Sequence, residues 1–387
     1  MEKGSLNIKD GWKVRSLIDV CEKISAGGDV PKGNFSKFKT EEFMIPIFAN
    51  GEKNKGLYGY TNIEKIDKPS ITVSARGTIG YSEIRNEPFY PIVRLIVLTP
   101  NTDLTSLRFL KYVISSMNFK KSGTSIPQLT VPMIKKYQAP IPPLAEQKQI
   151  VALLDQAFKA IDQAQLNIEK NIANAKELFQ SKLNAIFSQD GEGWEERTLG
   201  EVCEIIGGGT PSKSKKMFYG GNIPWATVRD MHSSRLSDTD HTITKEAIEK
   251  SSTNIIPKNH IIISTRVGLG KVCVLDQDTA INQDLKGLIP KAEYDILNQY
   301  IFWWYKSIAN KVIDAGTGLT VQGVKLSFVK QLSFPLVPKD KQIKIVNSLN
   351  DFSRILKNIE NDYSKKLKNL EELKKSILQK AFNGELT

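Results

Sequence analysis

Residues 193–206 read GWEERTLGEVCEII, and residues 11–24 read GWKVRSLIDVCEKI. The chain begins again near its middle. In both stretches a Gly-Trp pair is followed by a leucine, Leu17 or Leu199, and then by Val-Cys-Glu at 20–22 or 202–204. Three further matches follow in the same order. SARGTIG (74–80) answers STRVGLG (264–270). SGTSIPQLTVPMIKKYQAPIPPLAEQKQIV (122–151) answers AGTGLTVQGVKLSFVKQLSFPLVPKDKQIKIV (315–346), which sets Pro140 over Pro335, Gln147 over Gln342 and Val151 over Val346. KELFQSKLNAIF (176–187) answers EELKKSILQKAF (371–382). The offset grows from 182 through 190 to 195. A domain-sized unit therefore occurs twice, with loop insertions in the second copy, at a period far above the roughly 20–50 residues of solenoids.

Each copy has a globular part and a helical part. Runs such as SITVSA (70–75), PIVRLIVL (91–98), HIIIST (260–265) and KVCVLD (271–276) are bounded by Gly, Pro and Asn and read as strands. Residues 104–119 and 294–312 carry apolar residues at three- and four-residue steps and read as helices. After Pro142-Pro143 the chain runs to about 187 without Pro or Gly, and after Pro338 it does so again to near Gly384; proline in a first turn is a start signal. Ile150, Leu154, Ala157, Ile161, Ala164, Ile168, Ile172, Ala175, Phe179, Leu183 and Ile186 are spaced by fours and threes, and Ile345, Leu349, Phe352, Leu356, Ile359, Tyr363, Leu367, Leu370, Ile377 and Ala381 keep the same pattern. Such a stripe predicts a helical seam. At about 1.5 Å per residue each rod reaches roughly 65 Å. Two long helices in one chain predict mutual antiparallel pairing, with packing on the globular neighbour as the alternative. The expected domains are 1–143, 144–190, 191–337 and 338–387. The expected fold class is α+β, with two pseudo-twofold-related α/β domains separated by two long helices that form an antiparallel coiled coil.

The 387 residues carry a formal charge of +12, which favours a polyanionic partner, nucleic acid or a membrane surface. The charge is uneven: Lys and Arg outnumber Asp and Glu by 21 to 13 over residues 1–140, and the counts are equal at 17 over 188–337. A binding surface in the second half must come from local clustering. No stretch approaches the roughly 20 apolar residues of a membrane span, and MEKGSLNIKDGW lacks the apolar core of a secretory signal, so a cytoplasmic location is expected. Cys21, Cys203 and Cys273 are scattered and read as small core residues.

Catalytic constellations are missing. His232, His241 and His260 have no metal-ligand spacing with the cysteines. No G-x-S-x-G elbow is present. IPPL (141–144) lacks the polar first residue and the aromatic with which an amino-methyltransferase grips a base. Gly207–Lys216 (GGGTPSKSKK) lacks P-loop spacing, and Pro211 removes an N–H where a phosphate cradle needs one. The aromatic run Phe302-Trp303-Trp304-Tyr305 reads as core.

The residues suited to DNA lie in loops. Lys53 and Lys55 belong to a glycine-flanked basic segment, 50–56. Thr210, Lys213, Lys215 and Lys216 belong to the glycine loop, where backbone can approach phosphate. Ser74 with Arg76, and Ser264 with Arg266, hold matching places after a strand. An arginine there can grip phosphate or read guanine. Shared positions in two unlike heads favour a shared role, phosphate contact or structure. Thr124, Ser125 and Gln128, and Thr317 with Gln322, lie in the matched polar segments. Two unlike heads held apart by a helical spacer predict a device that reads two different half-sites and measures the distance between them.

Several motifs together carry a resemblance: GWEERTLGEVCEII, then GGGTPSKSKKMFYGGNIPWATVRDM (207–231), APIPPLAEQKQIV with its weaker copy FPLVPKDKQIKIV, and KKSILQKAFNGEL (374–386). The whole chain resembles the specificity subunit of type I restriction–modification systems. SAGGDVPKGNF (25–35) departs from the family's GGTP-type loop in the first half. The resemblance implies two target-recognition domains on double-stranded DNA, to which Arg229 of the matched motif would contribute. It also implies a paired helical spacer and no catalysis in this chain. The implied partners are two methyltransferase subunits, which use S-adenosylmethionine on adenine, and restriction subunits that translocate with ATP and Mg. No cofactor is expected on this chain, and no membrane. Gln147 and Gln342, at the helix starts, are expected to hold the methyltransferase. The rival readings are a stand-alone sequence-specific DNA-binding protein, a scaffold without DNA, and a self-sufficient nuclease or methyltransferase.

Overall fold

The computed structural model describes residues 9–119, 127–188, 193–318 and 322–386. The chain divides into two compact units. Unit 1 holds the residues up to Ile168 and those from Ser364 on, and unit 2 runs from Glu169 to Tyr363. Two helices of 44 residues, Leu144–Phe187 and Lys339–Phe382, contribute to both.

The globular part of unit 1 is built on a four-stranded antiparallel sheet in the order Cys21–Ala26, Ile96–Pro100, Ser70–Val73, Ser82–Arg85. A smaller sheet joins Leu57–Thr61, Ile45–Phe48 and Tyr90–Pro91. Strands Lys13–Ser16 and Gln138–Ile141 pair antiparallel and close the part at its two chain ends. Unit 2 repeats this plan. Cys203–Gly207, Leu285–Pro290, Ile261–Ser264 and Val272–Leu275 follow the same order, and Arg235–Leu236 adds a fifth, parallel strand. Glu195–Thr198 pairs with Ser333–Leu336 as the closing strands.

The continuous apolar strands are buried on both faces, as their sequence predicts. Ser70–Val73 and Val272–Leu275 are buried throughout. The expected strand 91–98 is broken at Val93 and Arg94, which take φ of 51° and 60°; no ladder survives two left-handed residues, so one strand ends at Pro91 and the next begins at Ile96. The expected helix 294–312 is two helices, Asn298–Ser307 and Ala309–Asp314. Its aromatic run Phe302–Tyr305 is buried. Cys203 and Cys273 are buried and Cys21 is half-buried.

The helical stripes face inward within each unit, apart from Phe352, which is exposed. In unit 1 Asp162 bonds Lys374 at 2.7 Å and Gln165 donates to Glu371 at 2.5 Å. One number rises as the other falls, so these helix segments run antiparallel. In unit 2 Asn171 donates to Tyr363 at 3.3 Å and Lys176 pairs with Glu360 at 3.1 Å, in the same sense. The helix ends then enter the globular cores. Leu378, Ala381 and Phe382 join Ile150 and Leu154 in the core of unit 1, where the Phe382 ring meets Phe109 edge-on at 5.7 Å. Leu183 and Ile186 join Val346 and Leu349 in unit 2, where Phe187 meets Tyr300 at 5.4 Å. Burying each such Leu, Ile, Val or Phe side chain contributes about 1.5–3 kcal/mol, so each helix is anchored by tertiary packing more than by propensity.

Candidate DNA-recognition surface

In unit 1 four loops meet. The strand Ser70–Val73 ends in the loop 74–80, closed by the Ser74 N–H donating to Tyr81 O at 2.8 Å and the Gly80 N–H donating to Ser74 O at 3.0 Å. Gly77, at φ 68°, sits where a side chain is disfavoured. Arg76 follows the strand and donates through Nε and Nη2 to Gln128 Oε1 at 3.3 and 3.1 Å. The Leu129 N–H donates to Ala75 O at 2.9 Å. Asn50 joins two more segments: its Oδ1 accepts from the Ala75 N–H at 2.7 Å and its Nδ2 donates to Val93 O at 2.6 Å. Lys53 and Lys55 are exposed on the adjoining turn. Arg85 anchors that turn from below, donating to Lys55 O at 2.5 Å while it stacks on the Phe48 ring at 3.5 Å.

Unit 2 builds the same junction with different side chains. The Ser264 N–H donates to Lys271 O at 3.1 Å and closes the loop 264–270. The Val324 N–H donates to Thr265 O at 2.9 Å, the counterpart of the Leu129–Ala75 bond. The Thr265 N–H donates directly to Asp284 O at 2.9 Å, where unit 1 interposes Asn50. Arg266 pairs with Asp284 at 3.6 Å. Gln322 joins the loop through its carbonyl, which accepts from the Val267 N–H at 3.3 Å, and Thr317 exchanges two backbone bonds of 3.0 Å with Gly323. The Thr210 hydroxyl donates to the Gln283 side-chain oxygen, which brings the glycine loop to the same place. Lys286 Nζ donates to Gln283 O at 3.2 Å. Burial pushes its pKa down from the ordinary lysine value, against the pull of Asp284. Lys213, Lys215 and Lys216 are exposed beyond this junction. Arg229 is exposed on a turn whose Val228 O accepts from Lys271 Nζ at 3.3 Å, beside the arginine loop.

These are polar, donor-rich loops on rigid sheets, with one arginine at the same place in each. Among the described residues no group of three or more His, Cys, Asp or Glu is placed to hold a metal ion. No helix is long and apolar enough to cross a membrane, again among the described residues.

The family model for the type I restriction modification DNA specificity domain matches twice, over residues 9–173 and 191–369. The chain belongs to this family. A type I restriction enzyme specificity subunit of Escherichia coli is 31% identical over 380 residues, covering 89% of this chain and 92% of the relative. A type I specificity subunit of Mycoplasma pneumoniae is 34% identical over 187 residues, 47% of this chain and 55% of the relative. The chain thus matches about half the length of the latter. A solved structure described as the structural basis of assembly and conformational transition of the type I R-M system has a TM-score of 0.78 at 18% identity, covering 98% of this chain and 100% of its own. The HsdS subunit from Thermoanaerobacter tengcongensis has a TM-score of 0.60 at 18% identity, with both chains fully covered. Both share the fold.

Four residues of this specificity-subunit chain sit elsewhere than their sequence suggests. Ser74 and Ser264 are buried. The Ser74 hydroxyl accepts from the Gly51 N–H at 3.1 Å, and Ser264 Oγ lies 2.8 and 2.7 Å from the carbonyl oxygens of Arg266 and Val267. Both hold their loops rather than face a ligand. Gln147 and Gln342 are 0% and 1% exposed, which leaves no surface for a partner. Gln147 accepts from the Ser106 N–H at 2.9 Å and donates to the carbonyls of Leu104 and Pro142 at 2.8 and 2.9 Å. Gln342 accepts from the Leu297 N–H at 2.9 Å and donates to Val337 O at 2.9 Å. They tie each long helix to its globular part. Thr124 and Ser125 lie outside the described residues. Asn50, Val93, Arg94, Gln283, Asp284 and Lys286 belong to the surface, and only Asn50 stood in a loop that local composition marks.

Proposed function

We propose that this specificity subunit reads double-stranded DNA with two unlike heads, one per unit, and delivers enzyme partners to a split target. Support comes from one observation: the same arginine-bearing loop, joined to the same polar segment by the same backbone bond, is built twice with different surrounding side chains. The shared arginines Arg76 and Arg266 hold phosphate, assisted by Lys53, Lys55, Lys213, Lys215, Lys216 and Arg229. Thr210, Thr317, Gln128 and Gln322 add uncharged donors and acceptors, and Thr124 and Ser125 extend the first polar segment. Phosphate contacts set position and base edges set specificity.

The chain is a recognition subunit and performs no catalysis. Its partners are two methyltransferase subunits, which use S-adenosylmethionine on adenine, and restriction subunits that use ATP and Mg to translocate. The work takes place on cytoplasmic DNA. The antiparallel helix segments supply a spacer of set length between the half-sites.

Mapping methylated adenines across the host genome, with and without the gene, tests this. Loss of one split motif on deletion supports it, and replacement of residues 1–143 then alters one half of that motif only. Unchanged methylation, together with failure to co-purify a methyltransferase, would favour the stand-alone DNA-binding reading.

A further inference from the structure

A four-residue turn opens the same strand in each unit. In unit 1 the Leu95 N–H donates to Ile92 O at 3.0 Å, and in unit 2 the Leu285 N–H donates to Asn282 O at 3.2 Å. Both turns hang from the end of a neighbouring strand by the same bond, Ile92 N–H to Phe48 O of Ile45–Phe48 at 2.9 Å and Asn282 N–H to Ala226 O of Tyr219–Ala226 at 3.0 Å. The correspondence is at offset 190, as for the arginine loops. The central pair is Val93-Arg94 in one unit and Gln283-Asp284 in the other. From 91 to 100 every residue is buried except Val93 and Arg94. Gln283 likewise surfaces from the buried run 279–282.

We propose that the central pair of this turn is the base-discriminating element of each unit, with Arg94 reading a guanine in one half-site and Gln283 an adenine in the other. The inference rests on the DNA-reading function proposed above. Residues that read different bases must differ between the heads, whereas residues that hold the common phosphate backbone need not. The arginine loops keep Arg76 and Arg266, but the turns beside them exchange a cation for an amide and a carboxylate. Each turn is tied to the arginine loop, through Asn50 in unit 1 and directly to Asp284 in unit 2.

The side-chain chemistry follows. The Arg94 guanidinium has no hydrogen-bond or ion-pair partner among the described residues. Its two parallel N–H groups match guanine O6 and N7. The Gln283 amide accepts from Thr210 and donates to Asp284 Oδ2 at 3.3 Å. One lone pair and one N–H remain, the set that adenine N6 and N7 require. Asp284 is engaged with Arg266 and orients that arginine. The reader thus occupies the third turn position in unit 1 and the second in unit 2.

The test selects binding sites from random duplex DNA with the full chain in complex with its methyltransferase. Wild type is compared with Arg94→Gly and Gln283→Ala. Glycine adopts the left-handed backbone of position 94 without strain, so that variant removes the side chain and keeps the turn. An unchanged melting temperature confirms it. Arg94→Gly should lose preference for a guanine at one position by about 10- to 100-fold, with the other half-site unchanged. Gln283→Ala should do the same for an adenine in that other half. A wild-type motif from either variant, or a uniform loss of affinity without altered base preference, overturns the inference. A wild type that selects no motif removes the DNA-reading function, and this inference with it.

Discussion

The backbone N–H of Leu129 donates to the carbonyl oxygen of Ala75 at 2.9 Å, and this bond sets Gln128 beside Arg76. Its counterpart runs from Val324 to Thr265 at 2.9 Å in the second unit. Backbone bonds are indifferent to side-chain replacement. The junction therefore survives in both copies while the side chains around it diverge.

Arg76→Ala and Arg266→Ala should each weaken binding to all DNA sequences alike. Each should lower the slope of log affinity against log salt by about 0.9. Titrations between about 50 and 200 mM salt measure this. A changed target motif with an unchanged slope would remove the phosphate role.

Gln147→Ala should destabilise unit 1 by about 3 kcal/mol, because the Ser106 N–H and two carbonyls lose their partner. Gln342→Ala should act likewise in unit 2. Chemical denaturation gives the values. Full stability with lost partner assembly would instead restore these glutamines as a contact surface.

Leu183 and Leu178 lie five residues apart on one helix, at 1% and 66% exposure. Leu183→Ala should cost about 3 kcal/mol of stability, and Leu178→Ala less than about 0.5. Equal costs in a denaturation series would contradict the facing of the helix.

Burial pushes the Cys203 and Cys273 thiols up, to about 12 and about 11. At pH 8 both are protonated in the folded chain, and a thiol reagent should label them only after denaturant is added. An unfolded thiol ionises near 8.5. The stability linked to these groups is therefore whole below that pH and is lost as pH rises through 11 to 12. Rapid labelling at Cys203 or Cys273 of the native chain at pH 8, as distinct from the half-buried Cys21, would contradict their burial.

Adding one heptad to each long helix should lengthen the unread stretch of the target and leave both half-sites unaltered. Mapping the methylated motif checks this, and an unchanged stretch would refute the spacer role.

Much of the fold was legible in one dimension. The Gly-Trp opening and the four ordered matches show the duplication. The proline starts and the Gly-free, Pro-free runs mark both long helices within a few residues. The break at Val93 and Arg94 was not legible, because two left-handed residues in a valine-rich run leave no compositional mark. Nor was the burial of Ser74, Ser264, Gln147 and Gln342. A polar side chain in a loop reads as a donor until its internal partner is seen. Thr265 needs no helper to reach Asp284 where Ala75 needs Asn50, and no alignment of the two copies reveals that exchange.

The sequence alone determined the duplication, the helix lengths, the apolar stripes and the lack of catalytic spacing. These are periodicities and spacings, and local chain physics sets them. Tertiary structure decided which polar groups face solvent, which turn residues stand beside the arginines, and where each helix end is buried. Those are contacts between residues far apart in the chain. Their energies depend on burial and partner geometry, which a string of residues does not contain.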